Sequence, residues 1–84
     1  RLLTAVRLDP PDEALLAAVL RAAFRERQIE VDGTVVDYLV PRMHRCLRTA
    51  QRLADRLDRE ALALKRPVTR PLAAAVLDAV LAGE

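Results

Sequence analysis

The feature that most constrains this chain is a stripe of aliphatic residues between His44 and Leu64, spaced alternately by three and four positions. That period matches the 3.6-residue turn of an α-helix and places the stripe on one face. The stripe consists of Leu47, Ala50, Ala54, Leu57, Ala61 and Leu64. Lys65 and Arg66 suit the negative end of such a helix, and Pro67 stops it. The pattern therefore predicts a long amphipathic helix from about His44 to Leu64, which needs other elements to cover its apolar face.

The residues before this helix predict two others. Asp9-Pro10-Pro11-Asp12-Glu13 is typical of a helix start, because Asp9 can cap, proline fits the first turn and acids favour the positive helix end. We expect the first helix over Pro10–Gln28, with its buried stripe formed by Leu15, Leu16, Val19, Leu20, Ala23 and Phe24. Asp32-Gly33 predicts a turn, and a short second helix follows over Gly33–Val40 until Pro41 ends or bends it. Its inward residues should be Val35, Val36, Leu39 and Val40.

A fourth helix is predicted after Thr69, which is a good cap, with Pro71 inside the first turn. Its buried side should consist of Leu72, Val76, Leu77, Val80 and Leu81. Phe24 and Tyr38 are the only aromatic residues, so the core must be aliphatic. The sequence predicts an all-α domain of four helices. We expect its buried residues to include Leu16, Leu20, Phe24, Leu39, Leu47, Ala54, Leu57 and Leu77.

The first residues of the chain are of a different kind. Leu2–Leu8 is apolar, too short for a helix, and contains Thr4 and Val6, which suit a strand. A single strand has no partner in an all-α domain. The segment therefore either belongs to a sheet that is missing or is a frayed leader, and because the chain opens at Arg1 without Met, we interpret it as a fragment.

Several function classes are excluded by what the sequence lacks. The single cysteine, Cys46, excludes an internal disulfide and a cysteine-based zinc site, and we expect it to be a small packing residue. The apolar runs are too short to span a bilayer and no signal-peptide pattern is present, so we expect a cytoplasmic protein. No GxxxxGK[ST] motif occurs, so this chain should not hydrolyse nucleotide by itself.

Arginines concentrate between Tyr38 and Ala54, a stretch without acidic residues. Arg45 and Arg48 fall near the predicted start of the third helix, where cations are unfavourable against the helix dipole unless an anion is present. Free backbone N–H groups and guanidinium groups at one helix start favour a phosphate-sized anion site. The alternative is a solvated arginine face, stabilised by an ion pair between Asp55 and Arg59. That face would comprise Arg45, Arg48, Arg52, Arg56 and Arg59, while His44 would be a solvated residue at the helix start.

The order of these features resembles the passage from core to lid in AAA+ proteins of the DnaA/Hda family. The matching segments are LLTAVRLDPPDEALLAAVL, DGTVVDYLVPR, MHRCLRTAQRLADRLDR and REALALKRPVTRPLAAAVL, which together cover most of the chain. Leu57-Asp58-Arg59 and the spacing from Arg66 to Thr69 are more similar to Hda than to DnaA. The end at Glu84 is also closer to Hda, because DnaA continues into a helix-turn-helix domain.

The resemblance implies that residues 1–11 are the end of the AAA+ core and a linker, and that residues 12–84 are the lid. It implies that Arg45 is the sensor 2 arginine reaching the phosphates of ATP or ADP in the intact parent, with Arg42 and Arg48 as candidates for supporting roles. The implied partners are the chain's own AAA+ core, DnaA and the sliding clamp, in the regulation of replication initiation. A homo-oligomer is also compatible with the resemblance.

Two other functions remain open on the residues alone. One is a small basic helical module that binds nucleic acid through its arginine face. The scarcity of aromatic residues and a net charge of only +2 disfavour direct DNA binding. The other is a helical protein-interaction domain.

Overall fold

The computed structural model describes residues 11–83, and in this range it contains four α-helices. They are α1 (Glu13–Glu26), α2 (Gly33–Leu39), α3 (Leu47–Leu64) and α4 (Arg70–Leu81). The predicted all-α fold is confirmed. The predicted strand at Leu2–Leu8 and the predicted cap Asp9 lie outside the described residues. No helix between residues 11 and 83 is both long enough and apolar enough to cross a membrane.

The helices form a closed arrangement in which each one packs against two others. α1 contacts α2 and α3, and α4 contacts the same two helices from the other side. The loop between α1 and α2 meets the loop between α3 and α4 at a single parallel bridge between Val31 and Val68. Val68 is buried there. The bridge therefore ties the two loops together at one end of the domain.

Local capping decides where three of the helices begin. Asp12 Oδ1 accepts a hydrogen bond from the Leu15 N–H at 2.8 Å, so α1 starts at Glu13 and not at Pro10 as predicted. Asp32 accepts from the Thr34 N–H at 3.0 Å and caps α2, which begins at Gly33 as predicted. Thr69 Oγ1 accepts from the Leu72 N–H at 3.4 Å, which confirms the predicted cap of α4.

Apart from Phe24 the core is aliphatic, and of the eight residues that we expected among the buried ones all but Leu47 lie in it. Leu47 is 42% exposed. Leu15, Leu64 and Leu81 were also predicted to be buried and are exposed. All four lie in the first or last turn of a helix, where neighbouring helices no longer cover the apolar face. Leu53 in the middle of α3 is completely buried instead.

Arg27 makes polar contacts that join the end of α1 to α3. Arg27 follows α1, and its Nε and Nη2 lie 2.9 and 2.8 Å from Asp55 Oδ1 in the middle of α3. Its Nη1 donates to the Ala23 carbonyl at 2.9 Å. Asp55 is therefore paired with Arg27. The interpretation of a solvated arginine face had predicted a pair between Asp55 and Arg59, and that pair is wrong. Arg27 thus connects the C-terminal end of α1 to the middle of α3.

Candidate functional site

The loop between α2 and α3 positions the arginines that the sequence singled out. The N–H groups of Arg42 and Met43 both donate to the Leu39 carbonyl, at 3.0 and 2.9 Å, so the chain turns sharply after α2. Met43 is buried and anchors this turn in the core. The Cys46 N–H then donates to the His44 carbonyl at 2.8 Å. This turn delays α3, which begins at Leu47 and not near His44 as predicted.

The start of α3 lacks the stabilising features found at the other helix starts. Its N-cap residue, Cys46, makes no side-chain capping hydrogen bond, and the first turn contains no acidic residue. Arg45 precedes the cap, and Arg48 is the second residue of the helix. Backbone N–H groups without a side-chain cap and two cations therefore share the positive end of the helix dipole. Such an end attracts an anion.

Cys46 is exposed, so the predicted packing role is wrong. The backbone N–H of Thr49 lowers the pKa of its thiol most strongly, followed by the Thr49 hydroxyl and the backbone N–H of Arg48. These groups favour the thiolate because they present positive dipoles to it. The direction of this shift is consistent with a start of α3 that favours negative charge.

Arg45 is accessible but makes one ion pair. Its side chain is 54% exposed, as expected for a residue that must reach a ligand. Its Nη2 lies 3.5 Å from Glu13 Oε2, so Arg45 has a carboxylate partner even though the stretch around it contains no acidic residue. Glu13 belongs to the first turn of α1, which packs alongside α3. The acid-free stretch around Arg45 could not reveal this partner because Glu13 is distant in sequence. An exposed pair of this kind typically contributes about 1 kcal/mol or less.

Arg42 is directed toward α2 and α4, away from the α1 side that Arg45 faces. Its guanidinium carbon lies 4.1 Å from the centre of the Tyr38 ring, and its Nη1 donates to the Tyr38 carbonyl at 2.8 Å. The guanidinium group of Arg70, the first residue of α4, lies 5.5 Å from the same ring centre. Sequence reasoning identified neither Tyr38 nor Arg70. Arg42 and Arg45 therefore have different partners, although they are neighbours in sequence.

Arg48 and His44 are exposed on either side of the helix start. The guanidinium group of Arg48 makes no hydrogen bond or ion pair with another residue of the 11–83 range. His44 is solvated, as predicted. Residues 11–83 include no group of three or more His, Cys, Asp or Glu side chains that could hold a metal ion. The chemistry this site offers is anion binding by guanidinium and backbone N–H groups.

Comparison with known protein families gives one match. A family model described as "Hda, lid domain" matches residues 12–77, from the N-cap of α1 into α4. Arg42, Arg45 and Arg48 all lie inside the matched range. Comparisons with curated proteins and with solved structures gave no match.

Proposed function

The chain belongs to the Hda lid-domain family, and from this membership we propose that Arg45 is the sensor 2 arginine of an Hda-type AAA+ protein. In this role it contacts the phosphates of ATP or ADP bound to the core. The observation that carries the proposal is the family match over residues 12–77, which includes the whole of α1, α2 and α3. The match supports the proposal because the arginine-rich start of α3 lies inside the lid domain, which in our proposal closes over the nucleotide of the core.

The geometry at the start of α3 supports this role. Arg45 is exposed, α3 has no side-chain cap, and its first turn has no acid. A phosphate there would accept hydrogen bonds from the guanidinium group and from backbone N–H groups at once. It would also relieve the unfavourable placement of cations at the positive end of the helix.

Glu13 gives Arg45 an alternative partner. The pair is joined by a single contact of 3.5 Å between two half-exposed side chains. A phosphate group carries more negative charge and more acceptor oxygens than one carboxylate, so it competes well for the guanidinium group. Exchange of Glu13 for phosphate would couple the start of α1 to nucleotide binding.

The supporting arginines receive different roles under this proposal. Arg42 is held by Tyr38, so it fixes the loop before α3 and thereby the direction of Arg45. Arg48 is exposed at the same helix start as Arg45 and is suited to long-range attraction of the phosphates.

The proposal extends to the parent protein. Residues 1–11 are assigned to the end of the AAA+ core and a linker, and residues 12–84 to the lid. The chain has no P-loop motif, so binding of the β- and γ-phosphates and any hydrolysis belong to the core. Through the parent, the lid would act with DnaA and the sliding clamp to regulate replication initiation.

The test compares arginine variants in the intact parent. We expect Arg45→Ala to weaken binding of a fluorescent ADP or ATP analogue by about tenfold, the loss typical of a charge-assisted phosphate contact. Thermal unfolding of the isolated lid should barely change, because an exposed arginine contributes little to stability. Arg25→Ala, an exposed arginine of α1, is the matched control and should leave nucleotide binding unchanged.

Glu13→Gln completes this test. Removing the competing carboxylate should strengthen nucleotide binding by about twofold to fivefold. Unaltered binding in Arg45→Ala, or unfolding of the lid in that variant, would show that Arg45 is not a sensor.

A further inference from the structure

A second group of arginines lies on α3, away from Arg45. Arg52, Arg56 and Arg59 line a cleft of about 380 Å³ between α3 and α4, together with Asp55 and Val80. The helical rise places Arg56 about 6 Å and Arg59 about 10 Å along the axis from Arg52. All three fall on one face of the helix. The nucleotide proposal uses none of them.

The cleft carries an excess of positive charge. Its one carboxylate, Asp55, is bonded to Arg27 at 2.8 Å. Arg56 Nε pairs with Glu60 at 3.2 Å, and Arg52 also makes contacts within the chain. Arg59 is exposed, and its guanidinium group makes no hydrogen bond or ion pair with another described residue. Arg59 is therefore the cleft arginine on which a ligand would chiefly depend for its charge.

Aliphatic surface adjoins these arginines. Val80 lies at the cleft, partly buried against the core, and Leu81 at the end of α4 is 39% exposed. Arginine beside aliphatic surface is a composition typical of protein interfaces, where arginine is enriched and often contributes strongly to affinity.

Nucleic acid fits this face less well than protein does. Phe24 is buried, and the Tyr38 ring lies against the guanidinium group of Arg42 and outside the cleft, so the cleft offers no aromatic residue for a base to stack on. Asp55 and Glu60 lie among the arginines, where they would repel a uniform chain of phosphates. A protein segment can instead place its carboxylates opposite the arginines alone.

We propose that the cleft of Arg52, Arg56 and Arg59 docks a segment of another protein that bears carboxylates beside aliphatic side chains. A carboxylate of the partner enters among the guanidinium groups, and an aliphatic neighbour packs against Val80 and Leu81. This docking is independent of nucleotide, because Arg45 takes no part in it.

The experiment uses the 84-residue chain and fluorescence anisotropy. The probes are a labelled synthetic peptide that alternates Glu and Leu, the same peptide with Gln for Glu, and single- and double-stranded DNA oligonucleotides. The Glu peptide should bind more tightly than the Gln peptide and either DNA. Arg59→Glu should weaken its binding by about tenfold, and the neutral Arg59→Gln by less.

Arg21→Glu is the matched control. It reverses the same charge at an exposed position of α1 outside the cleft, and it should change peptide binding by less than about twofold. Circular dichroism melting would show that each variant is folded. The proposal is overturned if DNA binds more tightly than the Glu peptide, if the folded chain binds no peptide, or if Arg21→Glu weakens binding as much as Arg59→Glu.

Discussion

The starts of α1 and α3 lie close together, yet they are built in opposite ways. α1 has a side-chain cap from Asp12 and an acid, Glu13, in its first turn. α3 has Cys46 at the cap position without a capping hydrogen bond, and arginines in place of acids. Both features of α1 stabilise a helix start, whereas those of α3 leave its start short of negative charge.

The contact between Arg45 and Glu13 shows what this difference means. The carboxylate of Glu13, at the start of α1, supplies negative charge to the start of α3, which has no acidic residue of its own. A helix can keep such a start when the rest of it is well buried, and α3 buries Ala50, Leu53, Ala54 and Leu57 completely. The start of α1 is built for stability, whereas the start of α3 has the features of a site that binds an anion.

The largest expected effect concerns the buried middle of α3. Leu57→Ala should destabilise the domain by about 2–5 kcal/mol, because it removes a fully buried side chain and leaves a cavity. Leu47→Ala at the exposed start of the same helix should cost less than about 1 kcal/mol. Urea unfolding followed by circular dichroism measures both. Equal losses would mean that the start of α3 holds the fold as firmly as its middle does.

A smaller loss of stability is expected from substitution at the N-cap position of α1, and almost none at that of α3. Asp12→Ala should destabilise the domain by about 1 kcal/mol, since the capping hydrogen bond to the Leu15 N–H is lost. Cys46→Ala removes no capping hydrogen bond and should change the free energy of unfolding by less than about 0.5 kcal/mol. The same unfolding assay applies. A loss in Cys46→Ala as large as that in Asp12→Ala would contradict the contrast between the two starts.

An aspartate cap on α3, like the one that α1 has, should make the lid more stable and should weaken nucleotide binding. Cys46→Asp supplies both a capping oxygen and a negative charge, and should stabilise the isolated lid by about 1 kcal/mol. In the intact parent it should weaken nucleotide binding, because its carboxylate occupies the region that we assign to a phosphate. Cys46→Ser, which caps without charge, is the control. Tighter nucleotide binding in Cys46→Asp would argue against an anion site here.

The smallest expected effect is a change in thiol reactivity. Because the pKa of the Cys46 thiol is lowered in the folded chain, more thiolate is present at neutral pH than in the unfolded chain. Alkylation by iodoacetamide should therefore reach half its maximal rate at a lower pH in the folded chain than in urea. Between the lowered pKa of Cys46 and the ordinary thiol value, the unfolded chain binds more protons than the folded one. The free energy of unfolding therefore increases as the pH rises through this range. A higher half-maximal pH in the folded chain would mean that the start of α3 does not favour negative charge.

Much of the fold followed from residues close together in sequence. The cap at Thr69, the proline inside α4 and the end of α2 before Pro41 were all predicted correctly. Capping and helix termination depend on groups within about four positions of each other, so the sequence contains what is needed to predict them. The start of α3 was placed too early because the buried Met43 holds the preceding loop in a turn, which apolar spacing alone does not reveal.

The sequence by itself determined the four helices, the aliphatic core and the concentration of arginines near the start of α3. Only the tertiary structure decided which arginine meets which partner. Arg45 pairs with Glu13 across 32 positions, and Arg27 with Asp55 across 28. The physical reason is that helix periodicity fixes which residues share a face, whereas pairs this distant in sequence depend on how the helices pack.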